Sequence, residues 1–202
     1  MHLHTALDQI SAIHDHMAKS HVFRGYRSLT TALSGAIALL AAAAQQRFLP
    51  HPVAHPKTYL FLWVGVALLS LALVGTEMTL RCRRLASQVQ TRLTLMAVES
   101  FLPSIVGGAC LTYVFFHFTP EILWLVPALW MMLFAMGIFA SCRILPRATF
   151  WSAAYYLLAA IISLALYHGP ALLNPWIMGL TFGLGQLLTA AILFFTLEYK
   201  HA

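Results

Sequence analysis

Charge is what this sequence has least of. Only 9% of its 202 residues are Asp, Glu, Lys or Arg, where a soluble domain carries about 25%. A chain so poor in charge does not present an ordinary water-facing surface, and a mean hydropathy of +0.79 points the same way. Aspartate is scarcer still, with Asp8 and Asp15 near the N-terminus as the only two. The Asp-rich magnesium sites of membrane phosphotransferases therefore cannot be assembled in the apolar part of the chain. The HExxH metal motif and the phosphate-cradling glycine-rich loop are missing as well. No Ser/His pair shares the membrane interior, so the nucleophile and base of an intramembrane serine protease are not expected. The expectation is of no catalytic site, hence not an enzyme, and of no cofactor. Cysteine is sparse, and Cys82, Cys110 and Cys142 have no CxxC spacing. Free thiols are expected.

What the chain does have is long apolar runs, 60% of its residues being hydrophobic. They cover 29–45, 59–74, 102–118, 122–140, 150–167 and 176–197. Each approaches the roughly 20 residues that a membrane-spanning helix needs. The fold class read from this pattern is all-α: a polytopic membrane protein with six transmembrane helices in one bundle. The few polar residues between runs three and four, Thr119-Pro120-Glu121, require an antiparallel hairpin. His168 to Pro175 requires another between runs five and six.

The basic residues fix an orientation. Lys19, Arg24, Arg27, Arg81, Arg83, Arg84, Arg92, Arg143, Arg147 and Lys200 fall in the termini and in alternate gaps, whereas only Arg47 and Lys57 fall in the others. Lys and Arg are retained on the cytoplasmic side of a membrane. The chain is therefore expected to be a multi-pass protein of the cell membrane, the inner membrane if bacterial, with both termini cytoplasmic. The net charge of +6 follows from arginines beside anionic lipid, so the lipid bilayer is the expected partner and nucleic acid is not. A membrane protein partner or a homo-oligomer remains open.

Residues 1–27 form a separate region. Leu3, Leu7, Ile10, Ile13 and Met17 recur at helical spacing opposite His4, Asp8, Ser11, Asp15 and Lys19, which is the pattern of an N-terminal amphipathic helix. Residues 28–202 form the six-helix domain. Between Thr76 and Leu102 there is neither Gly nor Pro, so helices two and three are expected to extend past the bilayer and reverse near Ser87–Thr91.

Three groups of residues are candidates for function. At the helix centres the polar groups are neutral: Gln186, Ser70 and Thr112 are expected either to glue helices together or to line a polar path. Near the inner boundary Glu77, Arg81 and Glu99 are expected to form ion pairs tying helices two and three together. On the outer face His51, His55, His117 and His168 form a candidate histidine cluster, expected to be solvated rather than a metal site. Gly179 and Gly183 lie one turn apart, which allows another helix of the bundle to approach closely. Pro103 is expected in a first turn capped by Ser100, with Gly107-Gly108 as a hinge or a close contact. Each of Trp63, Trp130 and Trp176 precedes a small residue by seven positions, a repeat that suggests three related hairpins.

These features leave two classes of function. The first is a non-catalytic accessory, scaffold or sensor component of the membrane. The second is a channel or facilitator for a small neutral or weakly polar solute. The absence of a carboxylate at the helix centres argues against an ion-driven pump.

Overall fold

The structure is a computed structural model that describes residues 28–49, 51–85 and 88–199. The amphipathic pattern of residues 1–27, the Ser87 cap and Lys200 lie outside the described residues. Six α-helices carry the fold: α1 Ser28–Phe48, α2 Pro56–Leu85, α3 Gln88–His117, α4 Val126–Ser141, α5 Thr149–Leu166 and α6 Pro175–Leu193. Short 3-10 helices, Pro120–Leu125 and Gly169–Leu173, lead into α4 and α6, and a π turn, Phe194–Glu198, ends the last helix. No strand occurs among the described residues. Six segments are long and apolar enough to cross a membrane.

The helix starts have local causes. Pro56 and Pro175 open α2 and α6, where a fixed φ suits the first turn and the missing N–H would be unpaired anyway. Asn174 caps α6 by accepting from the Trp176 backbone N–H at 2.9 Å. Gly169 has φ +62, a left-handed conformation that glycine adopts without steric cost, and it starts the α5–α6 reversal. Helices α2 and α3 are each 30 residues long, as the Gly- and Pro-free stretch predicted. That length changes the place of Pro103. Because α3 already begins at Gln88, Pro103 lies inside the helix rather than in its first turn. It supplies no N–H to the Glu99 carbonyl.

Each helix packs on the next, and α6 returns to α1 to make the most extensive contact in the molecule, whereas α2 and α3 touch only sparingly. Two layers of core result. At the end carrying the short reversals, Ala38, Ala42, Tyr59, Trp63, Met131, Ala160, Leu172 and Met178 are buried together. Toward the other end Ala135, Ala153 and Tyr156 are buried, with Phe101, Phe134 and Phe182 packed around them. Phe134 meets Phe101, Tyr156 and Phe182 in edge-on geometry at centroid distances of 5.2, 4.8 and 5.5 Å. One ring from each of α3, α4, α5 and α6 thus fills this layer.

Glycine decides how close the helices come. A methyl group on Gly183 would stand 2.6 Å from Leu39 Cγ, and one on Gly35 would stand 2.8 Å from the Gly183 carbonyl oxygen. One on Gly179 would collide with the Ala42 methyl. The Gly179/Gly183 face therefore receives α1, a helix of the same bundle. By contrast, a methyl on Gly107 or Gly108 would make only ordinary contact, nearest Leu133 at 4.0 and 3.7 Å. The close contact expected of that pair is not there, and α3 runs through it as unbroken helix.

Candidate functional site

The reversal between α1 and α2 is short, so the last turns of α1 face the first turns of α2. This brings Gln45 opposite Tyr59 and Trp63. The Trp63 Nε1–H donates to Gln45 Oε1 at 2.8 Å, both side chains being buried. An indole N–H only donates, so the carboxamide oxygen must face it and the amide nitrogen must point elsewhere. Gln45 Nε2 has no hydrogen-bond partner among the described residues, and neither has the buried hydroxyl of Tyr59. Tyr59 precedes Trp63 by one turn on the same helix face, with ring centroids 6.3 Å apart. Next to Gln45, Gln46 Oε1 accepts from Trp176 Nε1. Two adjacent carboxamides therefore clasp α2 and α6 to the end of α1. Burying a polar group without a partner costs about 1–3 kcal/mol, which makes Gln45 and Tyr59 the most conspicuous polar site in the core.

By sequence the first apolar run ends at Gln45 and the second begins at Tyr59, with Trp63 notable only for its repeat. The structure buries all three, with Gln45 at 0% and the two rings at 2% exposure. The available signal was the pair Gln45-Gln46 set across a short reversal from Tyr59-x-x-x-Trp63.

The neutral residues singled out at the helix centres occupy separate neighbourhoods. Thr112 joins α3 to α4: its hydroxyl accepts from Trp130 Nε1 at 2.8 Å and donates to the Gly108 carbonyl at 2.7 Å. Gln186 packs against α1, its Cβ lying 3.0 Å from a methyl built on Gly35. Ser70 is half-buried on α2. The Trp repeat has a structural counterpart in two hairpins, since Trp63 and Trp130 each donate to the residue 18 positions earlier on the preceding helix. Trp176 departs from this by reaching back to α1.

Of the charged trio, the side chains of Glu77 and Glu99 are among the described residues and that of Arg81 is not. Glu77 is half-buried and accepts from the Thr30 hydroxyl, a bond between α2 and α1. Glu99 is exposed on α3 and has no ion-pair partner among the described residues. The four histidines are likewise all exposed. His117 stacks on Tyr113 at 4.4 Å, its Nδ1 standing 3.1 Å from the Tyr113 carbonyl oxygen. Among the described residues no three His, Cys, Asp or Glu side chains form a group able to hold a metal ion. Cys82, Cys110 and Cys142 are free thiols.

Comparison with known proteins finds no matching family model, no matching curated protein and no matching solved structure.

Proposed function

We propose that this chain is a multi-pass protein of the cell membrane, with both termini cytoplasmic, that works as a non-catalytic accessory, scaffold or sensor component. One observation carries the reading. Thr112 and the Gly179/Gly183 pair, near the helix centres, are engaged in contacts between the chain's own helices. Thr112 receives Trp130, the Gly179/Gly183 face receives α1, and rings from α3 to α6 fill the inner core layer. A solute path needs polar groups left facing a lumen, and the Thr112 hydroxyl is instead taken up by Trp130 and the Gly108 carbonyl.

The placement of Lys and Arg supports the orientation. Cysteines introduced at Ala54 and Ala171 are expected to react with impermeant maleimide applied from outside, while native Cys82 and Cys142 stay unlabelled. Labelling of Cys82 from outside reverses the topology. Affinity purification from membranes in mild detergent tests the role itself. A partner retained at fixed stoichiometry is the expected result.

A second reading, a facilitator for a small neutral solute, is favoured by Gln45 Nε2 and the Tyr59 hydroxyl, two buried polar groups without partners among the described residues. Reconstituted vesicles distinguish the two. Selective flux of a small neutral solute, abolished by Gln186→Leu or Gln45→Leu in protein that remains folded, selects the facilitator.

A further inference from the structure

The core beneath the reversals contains more hydrogen-bonding capacity than the protein uses. Gln45 Oε1 is committed to Trp63. That leaves both hydrogens of Nε2, together with the Tyr59 hydroxyl, which can donate or accept. Both groups flank the same indole, one across the α1–α2 contact and the other one turn along α2. Tyr59 and Trp63 share a buried cluster with Met131, Leu172, Leu173, Ile177 and Met178.

We infer that Gln45 and Tyr59 hold a small uncharged oxygen-bearing ligand in the core of the bundle, water being the smallest member of the class. The chemistry selects it on three counts. The free amide group only donates, so the ligand presents an acceptor. The phenol donates to the same oxygen or accepts from a hydroxyl on it, so a hydroxyl oxygen satisfies both. An uncharged ligand is favoured because both partners are themselves neutral, and a buried charge would gain a counter-charge from neither. Two polar partners on an otherwise apolar wall suffice to keep a buried water in place.

Tyr59→Phe is the clean variant, because it removes one oxygen and leaves the ring, the Trp63–Gln45 bond and the packing intact. In the full-length protein in detergent, its melting temperature should fall by about 2–4 °C, the shift expected for losing roughly 1 kcal/mol in a chain of this size. An unchanged or raised melting temperature overturns the inference, since removing a hydroxyl with nothing to bond relieves a cost. The source of the oxygen is read on protein labelled with 15N-glutamine, the Gln45 amide signal being assigned by its loss in Gln45→Met. A cross-peak from the Gln45 amide protons to water, weakened in Tyr59→Phe, identifies water. A neutral hydroxyl compound released on denaturation at one per chain, retained through a change of detergent and lost in Tyr59→Phe, identifies a small organic ligand. Amide protons that show neither signal contradict the proposal even if Tyr59→Phe melts early.

Discussion

Two sets of glycines divide this molecule. On one side stand Gly35, Gly137, Gly179, Gly183 and Gly185, where any added side chain would run into Gly183 itself, Phe101, Ala42, Leu39 or Tyr156. On the other stand Gly65 and Gly75 on α2, where a methyl group would meet nothing within 4 Å. The spans follow the same division. Those of α1, α4, α5 and α6 are 33–44% buried inside the bundle, those of α2 and α3 only 17% and 11%. Glycine lowers helix stability wherever it occurs. In α1, α4 and α6 it is offset by close van der Waals approach. In α2 no contact within the chain offsets it. The α1–α6 contact is locked by shape, whereas the Gly65 and Gly75 positions of α2 are open.

Substitutions that separate the two sets follow from this difference. The largest effect is expected at Gly179 and Gly183. Replacement of either with Leu inserts a branched side chain into the α1–α6 contact, at about 1–3 kcal/mol, and the melting temperature in detergent should drop by several degrees. A variant as stable as the parent protein would erase the comparison. Next comes Gln45→Leu, which leaves the buried Trp63 N–H without its acceptor. The expected loss is about 1–3 kcal/mol, visible in the same melt. Smaller effects belong to the clasp between α3 and α4. Thr112→Val or Trp130→Phe should each cost about 0.6 kcal/mol, the usual worth of a hydrogen bond between membrane helices. The double variant should cost little more than either alone, because both remove one bond. Least affected are the open positions. Gly65→Ala and Glu99→Gln should stay within about 0.5 kcal/mol of the parent protein. A large loss at Glu99 would show that its carboxylate has a partner.

The six helices were legible because a run of apolar residues is a property of composition, and its length needs no neighbour to interpret. The approach at Gly179/Gly183 was legible for a related reason: two small residues one turn apart make a groove on any helix. What could not be read was which face each helix buries. An amphipathic helix declares its inner face by periodicity, but a helix that is apolar all round does not. The burial of Gln45 and Tyr59, both in the core, therefore could not be read from the sequence. Pro103 was misplaced because the start of α3 was set by the apolar run, whereas the helix begins well before it at Gln88. The Trp63–Gln45 and Trp130–Thr112 bonds show how much a repeat can hide. The tryptophans were visible, and their acceptors, a carboxamide and a hydroxyl, were not recognisable as equivalent until the backbone aligned them.

The central claim, that α1 and α6 are locked face to face while the Gly65 face of α2 stands clear, is tested most directly by cysteine cross-linking in intact membranes. In a background lacking Cys82, Cys110 and Cys142, the pair Gln46→Cys and Trp176→Cys replaces two side chains that bond across the α1–α6 contact, within the span of a short bifunctional maleimide with a reducible link. Treatment with that reagent followed by cleavage in an engineered loop site between α3 and α4 should leave the two fragments joined until reductant is added. A control pair, Gly65→Cys with Gln186→Cys, should leave them separate. Separate fragments from the first pair, or joined fragments from the second, would contradict the account.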